Sequence, residues 1–202
     1  MGRMPDSPYD LVLGYDRRGE PGTRYEYTSV NTFLLAWIVE RATGLGYSDA
    51  LQQLIWDRLS LAHESAICVN NHGTAVSYGG LIMNVDDLAR CGTLFTPSAP
   101  PERHALEVPD RYLQMLRTPR DQLSDPRHSW PDGAHPAGQW NLVHPNGDMF
   151  KSGFGGQGLF VSPANDVVIA FCGVPGPAGR THQLAGKCSS VAARLGLTLV
   201  DG

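Results

Sequence analysis

Two stretches of this 202-residue chain carry residue types and spacings suited to chemistry. The first is the run from Pro21 to Thr32 (PGTRYEYTSVNT). A Pro-Gly turn precedes Tyr27, Ser29 and Asn31, and these lead straight into an apolar segment. A polar cluster docked on the end of a buried helix has rigid positions, which a catalytic group requires. Ser29 and Asn31 are also residue types that cap helices, so capping and catalysis both stay open here. The second is Lys151 to Gln157 (KSGFGGQ), running into a β-prone segment. Gly153, Gly155 and Gly156 would let a ligand lie against backbone, and free N–H groups there can bind an oxyanion. Lys151 adds positive charge, and Ser152 and Gln157 add polar side chains. A solvated lysine beside a glycine-rich strand start is the plainer alternative.

Other chemistries lack their patterns. The glycines precede a strand, not a helix, and GxxxxGK[ST] is absent, so there is no phosphate loop. Seven histidines show neither HxxxH nor HExxH, and no metal or cofactor is implied. No GxSxG elbow points to an α/β-hydrolase. Cys68, Cys91, Cys172 and Cys188 form no CxxC pair, and three of them fall in apolar segments, as buried free thiols do.

Around these stretches the elements read as follows. Residues 1–26 form an extended, turn-rich lead-in. A helix spans 31–43, apolar nearly all round and so central and buried, with Gly44 as its stop. A second helix starts at Ser48, with Leu51, Leu54, Ile55 and Leu59 on one face. A third is capped by Asn84, and a fourth spans 110–117. Residues 97–101 and 119–147, rich in Pro, Gly, Asp and His, read as long surface loops. The runs 158–162 and 167–172 form a hairpin, and 149–153 pairs beside it. A last helix runs from about Thr181 to Leu195. Helices followed by an antiparallel sheet and a packing helix make the class α+β, in one domain over 1–202.

Composition narrows the partners. Hydrophobic residues make up 42% and charged residues 18%, a globular balance. The net charge of -4, without a basic stripe, lacks the footprint of a nucleic-acid binder. Residues 1–10 hold no apolar core that a signal peptide needs. The longest apolar run, 33–39, is too short for a bilayer, so no membrane partner is expected.

The segment 21–44 (PGTRYEYTSVNTFLLAWIVERATG) closely resembles the middle of the β-lactamase-related serine hydrolases. There a PGT turn leads to a catalytic Tyr, then to a helix ending near Glu-Arg-x-Thr-Gly. The stretch from Tyr47 to Leu61 looks like the family's next helix, and Gly79-Gly80 with Asp87 to Arg90 matches its GG…DLAR segment. Residues 152–163 (SGFGGQGLFVSP) resemble the strand pair that closes its active site. The resemblance covers about residues 10–173, in the family's order. The Tyr-x-Ser-x-Asn-Thr spelling and the Gly-Gly-Gln strand start look most like the esterase and amidase branch, which includes the 6-aminohexanoate-dimer hydrolases. It implies a β-lactamase/transpeptidase-like fold and a small ester, amide or β-lactam substrate. It makes Tyr27 the group that shuttles the nucleophile's proton. Such a phenol needs a nearby cation to stabilise its phenolate. Ser29 stands where the family has Asn, so Ser29 or Asn31 would hold the substrate amide. Lys151, Ser152 and Gly153 could stand for the family's Lys-Thr-Gly, although counting back from Pro163 shifts the register by about three residues.

One departure bears on activity. The family's nucleophile sits in Ser-x-x-Lys, upstream of the Tyr motif, and no serine here has Lys three positions later. Only 26 residues precede Tyr27. The chain is therefore expected to be a C-terminal part of such a hydrolase, inactive alone, since losing a nucleophile costs on the order of 10⁶ in kcat. A non-catalytic relic or binding module that keeps the substrate groove is the alternative. An enzyme using Ser29 or Ser152 as a different nucleophile has no positioned base to activate it. The incomplete fold predicts an unpaired sheet edge, an uncovered apolar face and self-association.

Overall fold

The computed structural model describes residues 7–17, 19–23, 25–98, 106, 108–119, 133–174 and 184–200, with side chains placed as far as Leu195. The chain runs through helices α1 (Pro8–Leu13), α2 (Ser29–Thr43) and α3 (Tyr47–Leu51), a π-helical turn (Gln52–Trp56) and α4 (Asp57–Leu59). A two-stranded ribbon follows, β1 (Ala66–Ile67) with β2 (Leu81–Ile82), then α5 (Val85–Gly92) and α6 (Asp110–Arg117). Strands β3 (His135–Ala137), β4 (Trp140–Val143), β5 (Met149–Ser152), β6 (Gln157–Ser162) and β7 (Val167–Cys172) form one antiparallel sheet in chain order. Helix α7 (Leu184–Val200) closes the fold. The α+β order expected from sequence is observed.

Strand alternation divides the core into two layers. Leu142, Phe150, Phe160 and Val167 face Ala185, Cys188 and Ala192 of α7. Val143, Met149, Leu159 and Val161 face the other way, onto Leu116 of α6 and Leu88 of α5. Phe150 and Phe160 are fully buried, which stabilises by about 1.5–3 kcal/mol each. By the same period of two, Lys151 leaves the sheet on the Met149 side, toward the helices.

Helix α2 is locally well specified. The Thr28 hydroxyl accepts from the Val30 N–H, and Gly44 ends the helix in the left-handed region at φ 72°. Tyr9 of α1 packs its ring on Phe33 and Trp37 and donates its hydroxyl to Glu40 at 2.7 Å. Burial and this carboxylate push the Tyr9 phenol up to about 12.

Several expectations are corrected. The lead-in is not wholly extended: Ser7 caps α1, and Pro8 occupies its first turn, a start signal present in the sequence. Helix α2 begins at Ser29 and is not buried all round. Only Phe33 and Ala36 are buried, while Leu35 and Ile38 are 46% and 62% exposed. Nothing among the described residues covers that face. The 119–147 segment holds β3 and β4, whose Gly138-Gln139 turn has φ 52° and 71°, the geometry of a tight hairpin. No disulfide involves the four cysteines, and only Cys188 is buried. Cys68 and Cys172 are exposed and Cys91 is half-buried. The start of the last helix near Thr181, most of 97–101, and residues 120–132 with His128 lie outside the described residues.

Candidate active site

Tyr27 sits one residue before the cap of α2, so the helix start fixes its backbone. Its side chain is 59% exposed and borders a cavity of about 330 Å³. Asn31, on the first turn of α2, and Lys151, on β5, line the same cavity. The Lys151 ammonium lies 5.9 Å from the centroid of the Tyr27 ring, within cation–π range. Burial lowers the Lys151 pKa from its usual value, because a partly desolvated ammonium loses hydration. Three of the sequence-derived candidates thus converge on one cavity.

The remaining candidates are placed differently. Ser29 is the exposed first residue of α2 and does not line the cavity; Thr28 does the capping. The Ser152 N–H donates to Asn141 Oδ1 at 2.9 Å, and its hydroxyl reaches the same oxygen at 3.3 Å. The Gly153 N–H donates to the Gln157 carbonyl at 2.8 Å. The Gly155 N–H donates to Gln157 Oε1 at 2.7 Å. These three amides are candidates for binding an oxyanion by sequence, and each is already engaged. Gln157 folds back over its own turn, and its side chain and that of Asn141 take hydrogens that a ligand would need. Gly153, Gly155, Gly156 and Gln157 do not line the cavity.

The opposite wall comes from residues that by sequence read as a loop. Gln139, Trp140 and Asn141 lie on or beside the β3–β4 turn and line the cavity. Gln139 Oε1 accepts from the Thr32 hydroxyl at 2.8 Å, tying this turn to α2. Tyr112 of α6 donates to the Gly138 carbonyl at 2.8 Å. A Cβ at Gly138 would sit 2.8 Å from that Tyr112 oxygen, so glycine serves both the positive φ and the close approach. His135 holds the Leu116 carbonyl through Nε2 at 2.9 Å. The local signal for this wall is a Gly-Gln pair between Pro-Ala and Trp-Asn-Leu-Val. Strand β4 is buried at every position, so it shows no alternation to detect.

The cavity offers the Lys151 ammonium, the Glu26 carboxylate, the exposed Tyr27 phenol and several amide and hydroxyl groups. This suits a polar small molecule. Among the described residues no group of three or more His, Cys, Asp or Glu could hold a metal ion, and no helix is long and apolar enough to cross a membrane.

A family model described as Beta-lactamase matches residues 5–172. The 6-aminohexanoate-dimer hydrolase of Paenarthrobacter ureafaciens is 32% identical over 159 residues, covering 75% of this chain and 40% of that protein. The solved structure described as a putative 6-aminohexanoate-dimer hydrolase from Bacillus anthracis superposes with a TM-score of 0.69 at 18% identity. That superposition covers 93% of this chain and 48% of the other, and it speaks for the fold alone. The chain therefore spans less than half the length of either relative.

Proposed function

Because the chain belongs to the beta-lactamase family, we propose that it is the C-terminal part of a serine hydrolase that cleaves an ester or amide through an acyl-enzyme. Tyr27 is the proton-transfer group, and Lys151 is the cation beside it. Asn31 faces the substrate amide, and the β3–β4 turn forms the opposite wall. The observation that carries this reading is the convergence of Tyr27, Asn31 and Lys151 on one cavity.

The nucleophile is a separate matter. The chain has two lysines, Lys151 and Lys187, and the residues three positions before them are Asp148 and Leu184. No Ser-x-x-Lys exists in this sequence, and the chain alone does not form an acyl-enzyme. The substrate we favour is a short linear amide or ester, as the name of the Paenarthrobacter relative suggests. The binding-module alternative keeps the cavity and binds the same class without turnover.

The test is a fluorophosphonate probe with a p-nitrophenyl ester assay on the 202-residue chain, with Tyr27→Phe as control. The expected result is no labelled serine and no turnover. Stoichiometric labelling of one serine, with turnover lost in Tyr27→Phe, would overturn the claim of inactivity. Saturable binding of a short acyl amide, weakened in Lys151→Ala, supports the shared site; no binding removes the cavity from both readings.

A further inference from the structure

Of the polar side chains that line the cavity, Asn141 is the most buried, with 7% of its surface exposed. Strand pairing sets its place. Leu142 pairs with Phe150 and Val143 with Met149, so one step further along the same ladder Asn141 stands across from Lys151.

The two ends of the Asn141 amide differ in what they meet. Oδ1 accepts the Ser152 N–H at 2.9 Å and the Ser152 hydroxyl at 3.3 Å. A backbone N–H can only donate, so the end that receives it is the oxygen, and chemistry fixes the orientation of the amide. The NH₂ is the end left over. Both hydrogen bonds of this side chain are made by its oxygen, and its nitrogen is not one of the unpartnered atoms closed off from solvent. It is therefore an open donor, and the space its residue lines is the cavity. The anchor at Oδ1 also holds the amide plane, and with it the direction of both N–H bonds. A donor aimed before its ligand arrives gives up little freedom on binding. A residue that only held Ser152 would need the oxygen and nothing more.

The charges nearby select the acceptor. The Lys151 ammonium and the Glu26 carboxylate line the same cavity and offset one another, which favours a neutral oxygen over a carboxylate. Met115, Pro136 and Ala137 add apolar lining for a short chain.

We propose that Asn141 is a substrate-binding residue whose NH₂ donates to the carbonyl oxygen of a neutral acyl compound, an amide or ester with a short apolar chain. This rests on the reading of the cavity as the substrate site of a hydrolase, and it adds the atom that grips the acyl oxygen.

The experiment follows the side-chain NH₂ resonances of Asn141 while the ¹⁵N-labelled chain is titrated with N-butylacetamide. Asn141→Asp identifies these resonances by removing them, and it keeps an acceptor for the Ser152 N–H; sequential assignment serves where circular dichroism shows that this variant does not fold. A saturable downfield shift of the Asn141 NH₂ protons is expected. N-butylthioacetamide, whose sulfur is the weaker acceptor, should bind the wild type about 2–10-fold more weakly, the worth of one neutral hydrogen bond. That preference should vanish or reverse in Asn141→Asp, and pentanoate should bind no more tightly than the amide. The backbone amides of Tyr27 and Lys151 report whether the cavity is occupied. Shifts there without one at the Asn141 NH₂, an amide preference that survives in Asn141→Asp, or tighter binding of pentanoate would each overturn the proposal and leave the hydrolase reading standing. No saturable shift at any of these groups would remove both.

Discussion

The Lys151 ammonium lies 5.9 Å from the centre of the Tyr27 ring, joining strand β5 to the start of α2 across the cavity. Burial lowers the Lys151 pKa, and a group so shifted reaches its neutral, nucleophilic amine form at lower pH. Acylation by an amine-directed reagent, followed by peptide mass spectrometry across a pH series, should show a lower pH midpoint at Lys151 in the folded chain than in the same chain unfolded in denaturant. Equal midpoints would contradict a desolvated lysine in the cavity.

Much of this arrangement is legible in the amino-acid sequence, and the reasons are local. Gly44 and Asn84 are punctuation that a short window reads, so α2 falls within two residues of its expected bounds and α5 starts behind its expected cap. The helix expected over 110–117, ahead of Pro119, is the helix observed. Lys151 and Tyr27 can be named singly, because glycines and a turn mark their surroundings. What stays hidden depends on tertiary contact. Asn141 reveals nothing in sequence until β4 brings its oxygen to the Ser152 amide. Strand β3 is too short, and strand β4 too evenly buried, to show a period of two. The open face of α2 runs against expectation because an all-apolar helix implies burial only when something is there to bury it.

Asp87 gives a prediction with a defined sign. Burial alone would raise its pKa. The N–H groups of Ala62 and His63, together with the His63 ring, outweigh that and hold the carboxyl below its usual range. A depressed folded-state pKa contributes stability that is present above the unfolded value of about 3.9. That contribution is lost as the pH falls through the folded value. Melting temperature should therefore fall on acidification below about pH 4 more steeply in the wild type than in Asp87→Asn. At neutral pH the Asn variant should be less stable by about 1–3 kcal/mol, because its NH₂ faces N–H groups that have lost an acceptor. Matching acid profiles for the two proteins would exclude Asp87 as the titrating group.

Two glycine-to-alanine changes should act in opposite directions. A Cβ at Gly92 would lie 2.6 Å from Val168 Cγ1 and 3.0 Å from Leu159 Cδ1, where α5 presses on the sheet. Overpacking of that kind costs about 1–3 kcal/mol. A Cβ at Gly186 in α7 meets nothing within 4 Å, and alanine there should stabilise by roughly 0.5–1 kcal/mol through helix propensity. Chemical denaturation of both variants checks the pair. Destabilisation by Gly186→Ala would mean that α7 is not helical at that position in solution.

The uncovered surfaces predict how the chain behaves at high concentration. Leu35 and Ile38 are exposed on one face of α2, and they continue from Asn31 at the cavity by helical spacing. Strand β7 pairs only with β6, so among the described residues its outer edge has no partner. That edge (VVIAFC) carries no proline and no charge, the devices by which edge strands resist pairing with other chains. Together these features favour association of the chain with itself. Sedimentation velocity over a concentration series should show reversible or progressive self-association. A Leu35→Lys, Ile38→Lys double variant should reduce it by placing charge on the helix face. Cys172→Lys, at the exposed end of the edge strand, should reduce it independently if the sheet edge contributes. Two partial effects that add would assign both surfaces, since distant sites act independently. A wild-type chain that remains a monodisperse, cooperatively melting monomer at high micromolar concentration would show that neither surface drives association.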